Sequence, residues 1–341
     1  TMKDILCINY HIDMGNITLE RNLKYLFSDN MDFFSFNKKN DSNIKSHFKN
    51  RSLSHKILSA ITLRKTLKKY SNNKTIIFNS IGPATWGYGA YKCENSILML
   101  DWTRSFSDFV NKKRIKRDNI HILQSYILKR IPKILCRNNK IIENLANCYG
   151  VKYSQMKRIP GPLNAELFNI NPRETPTRPK VLFIGNDFER KGGSLLIDNL
   201  DLILQKFDIT IVTKDNRANV KGVNFINDVI YGSQNHKKIL YDHDIFIFPS
   251  KHDPYGMVLA EAASAGLAII TTKFAFSSEE LIKNENSGIV VNEPKECISA
   301  LMHLAENHSL IDKFKSNIHR ETHINFSKTR LQKLYMEIIN N

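Results

Sequence analysis

The strongest constraint on the fold is a series of short apolar runs in which hydrophobic residues follow one another without polar alternation. Residues 180–184, 209–213, 245–249, 267–271 and 288–291 are of this kind. A strand with one wet face alternates, whereas a strand covered by helices on both faces does not, so these runs read as buried strands of a parallel sheet. Parallel neighbours cannot be joined by a tight turn and need a crossover, most often a helix. Helical patterns at 193–207 and 257–265, the second closed by Gly266, supply such crossovers. The second half of the chain is therefore expected to be a doubly wound α/β domain. The first half keeps the same order, with strands at 5–9, 33–36, 75–79 and 97–101, helices at 18–27, 52–70 and 105–117, and a glycine-rich loop at 81–89.

At 341 residues the chain has about twice the length of a typical domain, so two domains are expected. The densest proline stretch, Pro160, Pro162, Pro172, Pro176 and Pro179, lies near the midpoint, and such stretches mark linkers. The expected organisation is a first domain over 1–160, a linker over 161–179, a second domain over 180–325 and a terminal helical segment over 326–341. No apolar run approaches the ~20 residues of a membrane-spanning helix, and the first residues show no secretory signal. Five scattered cysteines without a Cys-x-x-Cys pair indicate neither a disulfide framework nor a zinc site, and a reducing cytoplasm fits them. Charge divides the chain sharply. Residues 1–160 hold 29 Lys or Arg against 11 Asp or Glu, and residues 161–341 hold 21 against 22. The whole of the net +17 thus sits in the first half, which points to an anionic partner there; a solvated basic surface is the plain alternative.

Two strand-to-helix turns in the second half carry the candidate chemistry. In the first, a buried strand ends at Gly185, and Arg190-Lys191-Gly192-Gly193 lead into a helix. Free amides at a helix start already favour an anion, and two cations beside them describe a diphosphate cradle. In the second, Pro249-Ser250 leave the strand, Asp253 lies in the loop, a helix starts at Gly256 and Glu261 lies inside it among Ala260, Ala262 and Ala263. These small neighbours leave room for a ligand beside the carboxylate, and a carboxylate facing two hydroxyls is a common way to hold a ribose. Gly256 and Met257 offer backbone amides at the helix start. Asp242-His243-Asp244 has the look of a metal-binding Asp-x-Asp, but it sits between a helix end and a buried strand, where polar caps are routine, and no metal is expected.

The combination resembles the signature of the retaining GT-B glycosyltransferases of family 4. The residues that carry the likeness are Asp253-x7-Glu261 with Pro249-Ser250 and Tyr255-Gly256, Glu189-Arg190-Lys191-Gly192-Gly193, Pro160-Gly-Pro-Leu-Asn-Ala-Glu-Leu-Phe, Glu280-Leu-Ile and Ser287-Gly-Ile-Val-Val. The resemblance is good over roughly 135–300 and fades over the first 130 residues. It implies a GT-B fold, two Rossmann-like doubly wound domains facing each other across a cleft, with the 326–341 helix crossing back to the first. It also implies roles. Arg190 and Lys191 neutralise the donor diphosphate, Glu261 binds the ribose, and Asp253 with the backbone of Tyr255, Gly256, Met257 and Val258 holds the transferred sugar. Gly185 and Thr213 complete the donor site. Two positions depart from the family pattern: Asp253 stands where Glu is usual, and Asn186 where Arg often follows the glycine, so that Arg190 supplies the charge. Retention by same-face attack, with no metal or other cofactor, is the implied mechanism.

On the acceptor side, His11 follows the first strand, where an open α/β sheet places its ligand crevice, and is a catalytic candidate with Gly15 nearby; a loop histidine is the plainer reading. Asp101 and Trp102 follow another strand end and are assigned to the cleft wall, aromatic packing being the alternative. The partners implied are a nucleotide sugar, a glycan or lipid-linked glycan acceptor of the cell-surface polysaccharide, lipopolysaccharide or capsule type, and an anionic membrane met by the basic half from the cytoplasmic side. A nucleic-acid-binding protein, or a glycosyltransferase acting on modified DNA, is a second reading, since basic patches also track phosphates. No zinc finger or RNP-like motif supports it. A sugar-nucleotide epimerase or phosphorylase is a third.

Overall fold

The computed structural model describes residues 5–11, 14–29, 31–37, 53–70, 74–283 and 285–340. The chain divides into two compact units, residues 1–161 with 335–341, and residues 162–334. In chain order the first contains β1 (Ile5–His11), α1 (Met14–Phe27), β2 (Asp32–Asn37), α2 (Leu53–Tyr70), β3 (Thr75–Phe78), α3 (Ile81–Trp86), β4 (Ser96–Leu100), α4 (Phe106–Val110), α5 (Asn119–Leu128), β5 (Lys133–Cys136), α6 (Asn139–Tyr149) and β6 (Met156–Arg158). The second contains β7 (Lys180–Ile184), α7 (Gly193–Asp198), α8 (Leu200–Leu204), β8 (Asp208–Val212), β9 (Val223–Ile226), α9 (Gln234–Tyr241), β10 (Ile245–Phe248), α10 (Met257–Ser264), β11 (Ala268–Thr272), α11 (Ser278–Leu281), β12 (Ile289–Val291), α12 (Glu296–Ala305) and α13 (His308–Asn325). α14 (Lys328–Asn340) begins in the second unit and ends in the first.

Each unit is built on one six-stranded sheet, in the orders β2-β1-β3-β4-β5-β6 and β12-β11-β10-β7-β8-β9. Every pair is parallel, as the unalternating runs require. In the second sheet the chain runs from β7 outward to β9, then returns to the other side of β7 with β10, so the direction of winding reverses between β7 and β10. The two are in register at Ile245–Val181 and Phe246–Leu182. Phe246, Ile247, Phe248, Val181, Leu182 and Phe183 are fully buried, and each such side chain contributes about 1.5–3 kcal/mol on leaving water. In the first sheet the same reversal falls between β1 and β3. The end of α14 is anchored beside β5 and β6: the Tyr335 hydroxyl donates to Pro160 O at 2.8 Å, and Lys133 Nζ donates to Ile338 O and Ile339 O at 3.2 and 3.3 Å. A cation at carbonyls of a helix's last turn is favourable in both hydrogen bonding and dipole.

Three expectations need correction. Residues 81–86 are helical rather than part of a loop. Pro83 lies in the first turn, where no intrahelical N–H is required, and Thr85 Oγ1 donates to Ile81 O at 2.8 Å. The helix expected over 105–117 stops at Val110. Lys113 N donates to Asp108 O and Lys112 N to Phe109 O, a Schellman closure that places Lys112 at φ 54°. A non-glycine residue in that region costs about 1–2 kcal/mol, and the five cations packed between 112 and 117 would repel one another on a continued helix. The helix expected over 193–207 is split at Asn199, whose side-chain amide donates to Leu195 O at 2.8 Å and competes with the backbone ladder.

Residues from 162 onward lie along the second unit and are tied to it by charge. Asp244 is fully buried and accepts from Lys315 Nζ at 3.0 Å, from Arg173 Nη2 at 3.2 Å and from Lys180 N at 2.9 Å. Its neighbour His243 bonds Ile239 O and Thr210 Oγ1 at 2.6 and 2.7 Å, and Asp242 pairs with Lys238 at 2.6 Å. The Asp-x-Asp of the sequence is thus occupied by bonds within the protein.

Candidate functional site

In an open α/β sheet the ligand crevice lies beyond the carboxyl ends of the strands where the winding reverses. In the second unit those ends are the exits of β7 and β10, which carry the two turns singled out in the sequence. The turns are joined. Lys251 N donates to Arg190 O at 2.8 Å, and Arg190 Nη1 donates to His252 O. Gly192 adopts φ 85°, and a Cβ there would lie 2.1 Å from Pro249 O, so a glycine is needed for the first turn to lie against the second. Gly185 serves a related end: a Cβ on it would meet Lys191 Cδ at 2.8 Å, and its absence lets the lysine stem cross the strand end.

The charged groups converge on Asp253. Its Oδ2 lies 3.5 Å from Lys191 Nζ and 3.6 Å from Arg190 Nη1. Arg190 is further held by Asp187 at 2.7 Å, and Lys191 Nζ lies 5.3 Å from the Phe248 ring centroid. Glu261, from α10, is 5% exposed. Burial pushes its carboxyl up to about 8, and the charge of Lys191 pulls it the other way, so the lysine is felt at both carboxylates. Arg190, Lys191, Asp253 and Glu261 therefore share one end of one sheet, as the spacing predicted. Asp253 is also fixed through its backbone, its N donating to Phe274 O at 2.9 Å.

The remaining donor-side candidates lie just past β8 and at the start of α10. Thr213 is buried just past β8 and its Oγ1 accepts from Asp215 N at 3.2 Å. Tyr255 is buried with its hydroxyl donating to Glu280. Gly256 caps α10, and the amides of Met257 and Val258 belong to the first turn, where no intrahelical acceptor exists. α7 has only six residues, so the attraction expected of a long helix start at Gly193 falls mainly to the two cations. Asn186, standing in place of a charged residue, accepts from Lys214 N at 3.1 Å.

Sequence reasoning passed over two neighbours. His236, from α9, places Nε2 3.6 Å from Glu261 Oε2, and burial lowers its pKa to about 4, keeping it neutral beside the carboxyl. The Ser277 hydroxyl is buried without a hydrogen-bond partner among the described residues and lies 3.3 Å from where a Gly256 Cβ would be. Neither had a spacing signal, because each reaches the site from a different crossover.

In the first unit the acceptor-side candidates are placed by the backbone. His11 closes β1, its side chain lying outside the described residues, and Gly15 lies in the first turn of α1. Trp102 is 40% exposed and packs against Phe106 at 5.5 Å between ring centroids. Asp101 lies 3.3 Å from Arg137 Nη1. The buried Arg137 donates through Nη2 to Asn79 Oδ1 at 2.7 Å, and Asn79 Nδ2 donates to Asn9 Oδ1 at 3.1 Å. This polar chain joins the residues that follow β4, β5 and β3 to Asn9 within β1 and was not read from the sequence.

Among the described residues no three His, Cys, Asp or Glu side chains converge to hold a metal ion, and no helix is long and apolar enough to cross a membrane. Residues 178–307 match the family model described as Glycosyl transferases group 1. No curated protein matches the sequence. Among solved structures, sucrose-phosphate synthase from Thermosynechococcus elongatus is similar with a TM-score of 0.77 at 15% identity over 99% of each chain. Anabaena HepE in complex with UDP gives 0.75 at 13% identity, covering 99% of this chain and 100% of that one. WaaG, a glycosyltransferase involved in lipopolysaccharide biosynthesis, gives 0.68 at 14% identity over 99% of each chain. Likeness at such identities establishes the fold, so the chain has the GT-B fold of two Rossmann-like domains, and its residues 178–307 are similar to the glycosyl transferases group 1 family.

Proposed function

We propose that this protein is a retaining glycosyltransferase that moves a sugar from a nucleotide-diphosphate sugar to a hydroxyl of a glycan or lipid-linked glycan. The observation that carries the reading is the Asp253 carboxylate held 3.5 and 3.6 Å from Lys191 and Arg190 at the winding reversal, with Glu261 inside the helix that follows. A donor diphosphate entering there replaces Asp253 as the partner of both cations, freeing the carboxylate for the hydroxyls of the transferred sugar. As the anomeric bond breaks, negative charge grows on the diphosphate, and fixed cations with the α10 amides stabilise it without a metal. Glu261 takes the ribose hydroxyls. HepE has been crystallised with UDP and with UDP-glucose, which supports a nucleotide-sugar donor for the same fold. Asp253 and Glu261 lie on one turn rather than flanking an open bond, which favours donor holding over the paired-carboxylate chemistry of glycosidases.

Asp101, held by Arg137, is the acceptor-side carboxylate in this reading, with His11, Gly15 and Trp102 around the acceptor hydroxyl. The basic first half carries the enzyme to an anionic surface on the cytoplasmic side of a membrane, where a lipid-linked acceptor resides. The test is a thermal-shift screen against UDP, GDP, dTDP, ADP and CMP sugars, followed by nucleotide release with and without glycan acceptors. A ligand that binds only the folded state raises its melting temperature. If no nucleotide sugar raises it and none is turned over, the reading fails; turnover without any acceptor favours the epimerase or phosphorylase alternative.

A further inference from the structure

Helix α5 keeps exposed apolar side chains opposite the face that it buries. His121, Gln124, Ile127 and Leu128 face inward and are buried. On the other side Ile122 is 61% exposed, Tyr126 43% and Leu123 39%. With Asn119 they stand at i, i+3, i+4 and i+7, so they form one stripe along the helix, and with Tyr88 they line one shallow groove. An apolar stripe left uncovered on a helix, opposite the face that packs inward, presents itself to something other than water.

What surrounds the stripe identifies that something. Residues 111–133 contain eight Lys or Arg and a single acid, Asp118. That acid is engaged locally, accepting from His121 N at 3.0 Å as the cap of α5 and pairing with Arg104 at 2.5 Å. The cations reach the rim itself. Arg130 stacks on the Tyr126 ring at 3.3 Å from its centroid, and Arg64 donates to Tyr88 O at 2.6 Å, the Tyr88 ring meeting Tyr126 edge-on at 5.7 Å. The left-handed turn at Lys112 ends α4 and leaves Lys112, Lys113, Arg114, Lys116 and Arg117 exposed just before the stripe begins. A nucleic acid would satisfy the cations but offers little to Ile122 and Leu123. A protein would have to present an apolar ridge inside an acidic rim. A bilayer containing anionic lipid has that arrangement everywhere on its surface: acyl chains under a layer of phosphates.

We propose that this face of α5 is a membrane-docking surface, which inserts Ile122, Leu123 and Tyr126 at the boundary between headgroups and acyl chains of an anionic bilayer while the flanking Lys and Arg meet lipid phosphates. The proposal builds on the anionic-surface reading above and adds an apolar component to it. Salt therefore weakens binding without abolishing it, because screening acts on the charges and not on the buried side chains.

The experiment is co-sedimentation of the full chain with phosphatidylcholine vesicles, with and without phosphatidylserine, at low and high salt. Binding is expected only with phosphatidylserine, with a residue that survives high salt. I122S/L123S is expected to lower the partition coefficient at least ~tenfold at both salt levels. Both side chains are exposed, so its melting temperature should equal that of the wild type. A second readout keeps the apolar surface intact: in I122W, the added indole fluorescence is expected to shift to the blue and to be quenched by lipids brominated on the acyl chain. If I122S/L123S binds as the wild type does and the I122W indole is not quenched, insertion is overturned while charge-driven docking stands. If the wild type ignores phosphatidylserine, both fall. If light scattering shows a wild-type dimer that I122S/L123S loses, with no vesicle binding by either, the stripe is a self-interface and the proposal is overturned.

Discussion

Substituting Glu261 by Gln should change how stability depends on pH, and the size of the change follows from the site. Burial raises the carboxyl from 4.5 to about 8 in the folded protein. Between these values the folded chain holds a proton that the unfolded chain has released, so stability is fully present below about pH 4.5 and is lost as pH rises toward 8. Each pKa unit corresponds to ~1.4 kcal/mol, which makes the loss about 3 kcal/mol by pH 7 and up to about 5 kcal/mol above pH 8. Glutamine keeps the shape and the hydrogen-bonding capacity but does not titrate. Urea unfolding of wild type and Glu261→Gln at pH 5 and pH 8 should therefore show the variant gaining on the wild type by a few kcal/mol as pH rises. A difference that stays constant within ~0.5 kcal/mol, the ordinary spread of additive effects, would refute the claim that burial outweighs the pull of Lys191 at this carboxyl.

Lys191→Ala and Arg190→Ala should each weaken nucleotide-sugar binding at least ~tenfold, or ~1.4 kcal/mol, measured by calorimetric titration; unchanged affinity in both would remove the diphosphate assignment. Gly192→Ala places a Cβ 2.1 Å from Pro249 O at φ 85°, and strain of this kind costs about 1–3 kcal/mol, so its denaturation midpoint should fall and donor affinity with it as the two turns separate. Asp244→Ala leaves Lys315 buried without its carboxylate, which should destabilise the protein by ~3–5 kcal/mol; adding Lys315→Met should restore part of that loss, and a neutral Asp244→Ala would contradict the burial of the pair.

How much of this was legible beforehand depends on the range of the interaction. The unalternating runs at 180–184, 209–213, 245–249 and 267–271 disclosed parallel strands because helix cover on both faces is written into each strand's own residues. The group around Asp253 was readable because two adjacent strand exits carry it, and a strand-to-helix turn holds its charged residues within a few positions of one another. Local competition blurred the helix limits: the Schellman closure at Lys112 and the side-chain bond at Asn199 each end a helix whose apolar pattern continues.

The linear chain by itself determined the layer order, the asymmetry of charge between its halves and the place of the two charged strand-to-helix turns, since all three are properties of near neighbours. Only the tertiary structure decided that Lys191 lies near both Asp253 and Glu261, that His236 and Ser277 join them, that Arg137 links the residues after β3, β4 and β5 and that α5 keeps an apolar stripe uncovered. These depend on which strands lie side by side and on which side chains the packing leaves over. Contacts across tens or hundreds of residues are selected by the burial of the whole and leave no period or spacing in the string of residues that makes them.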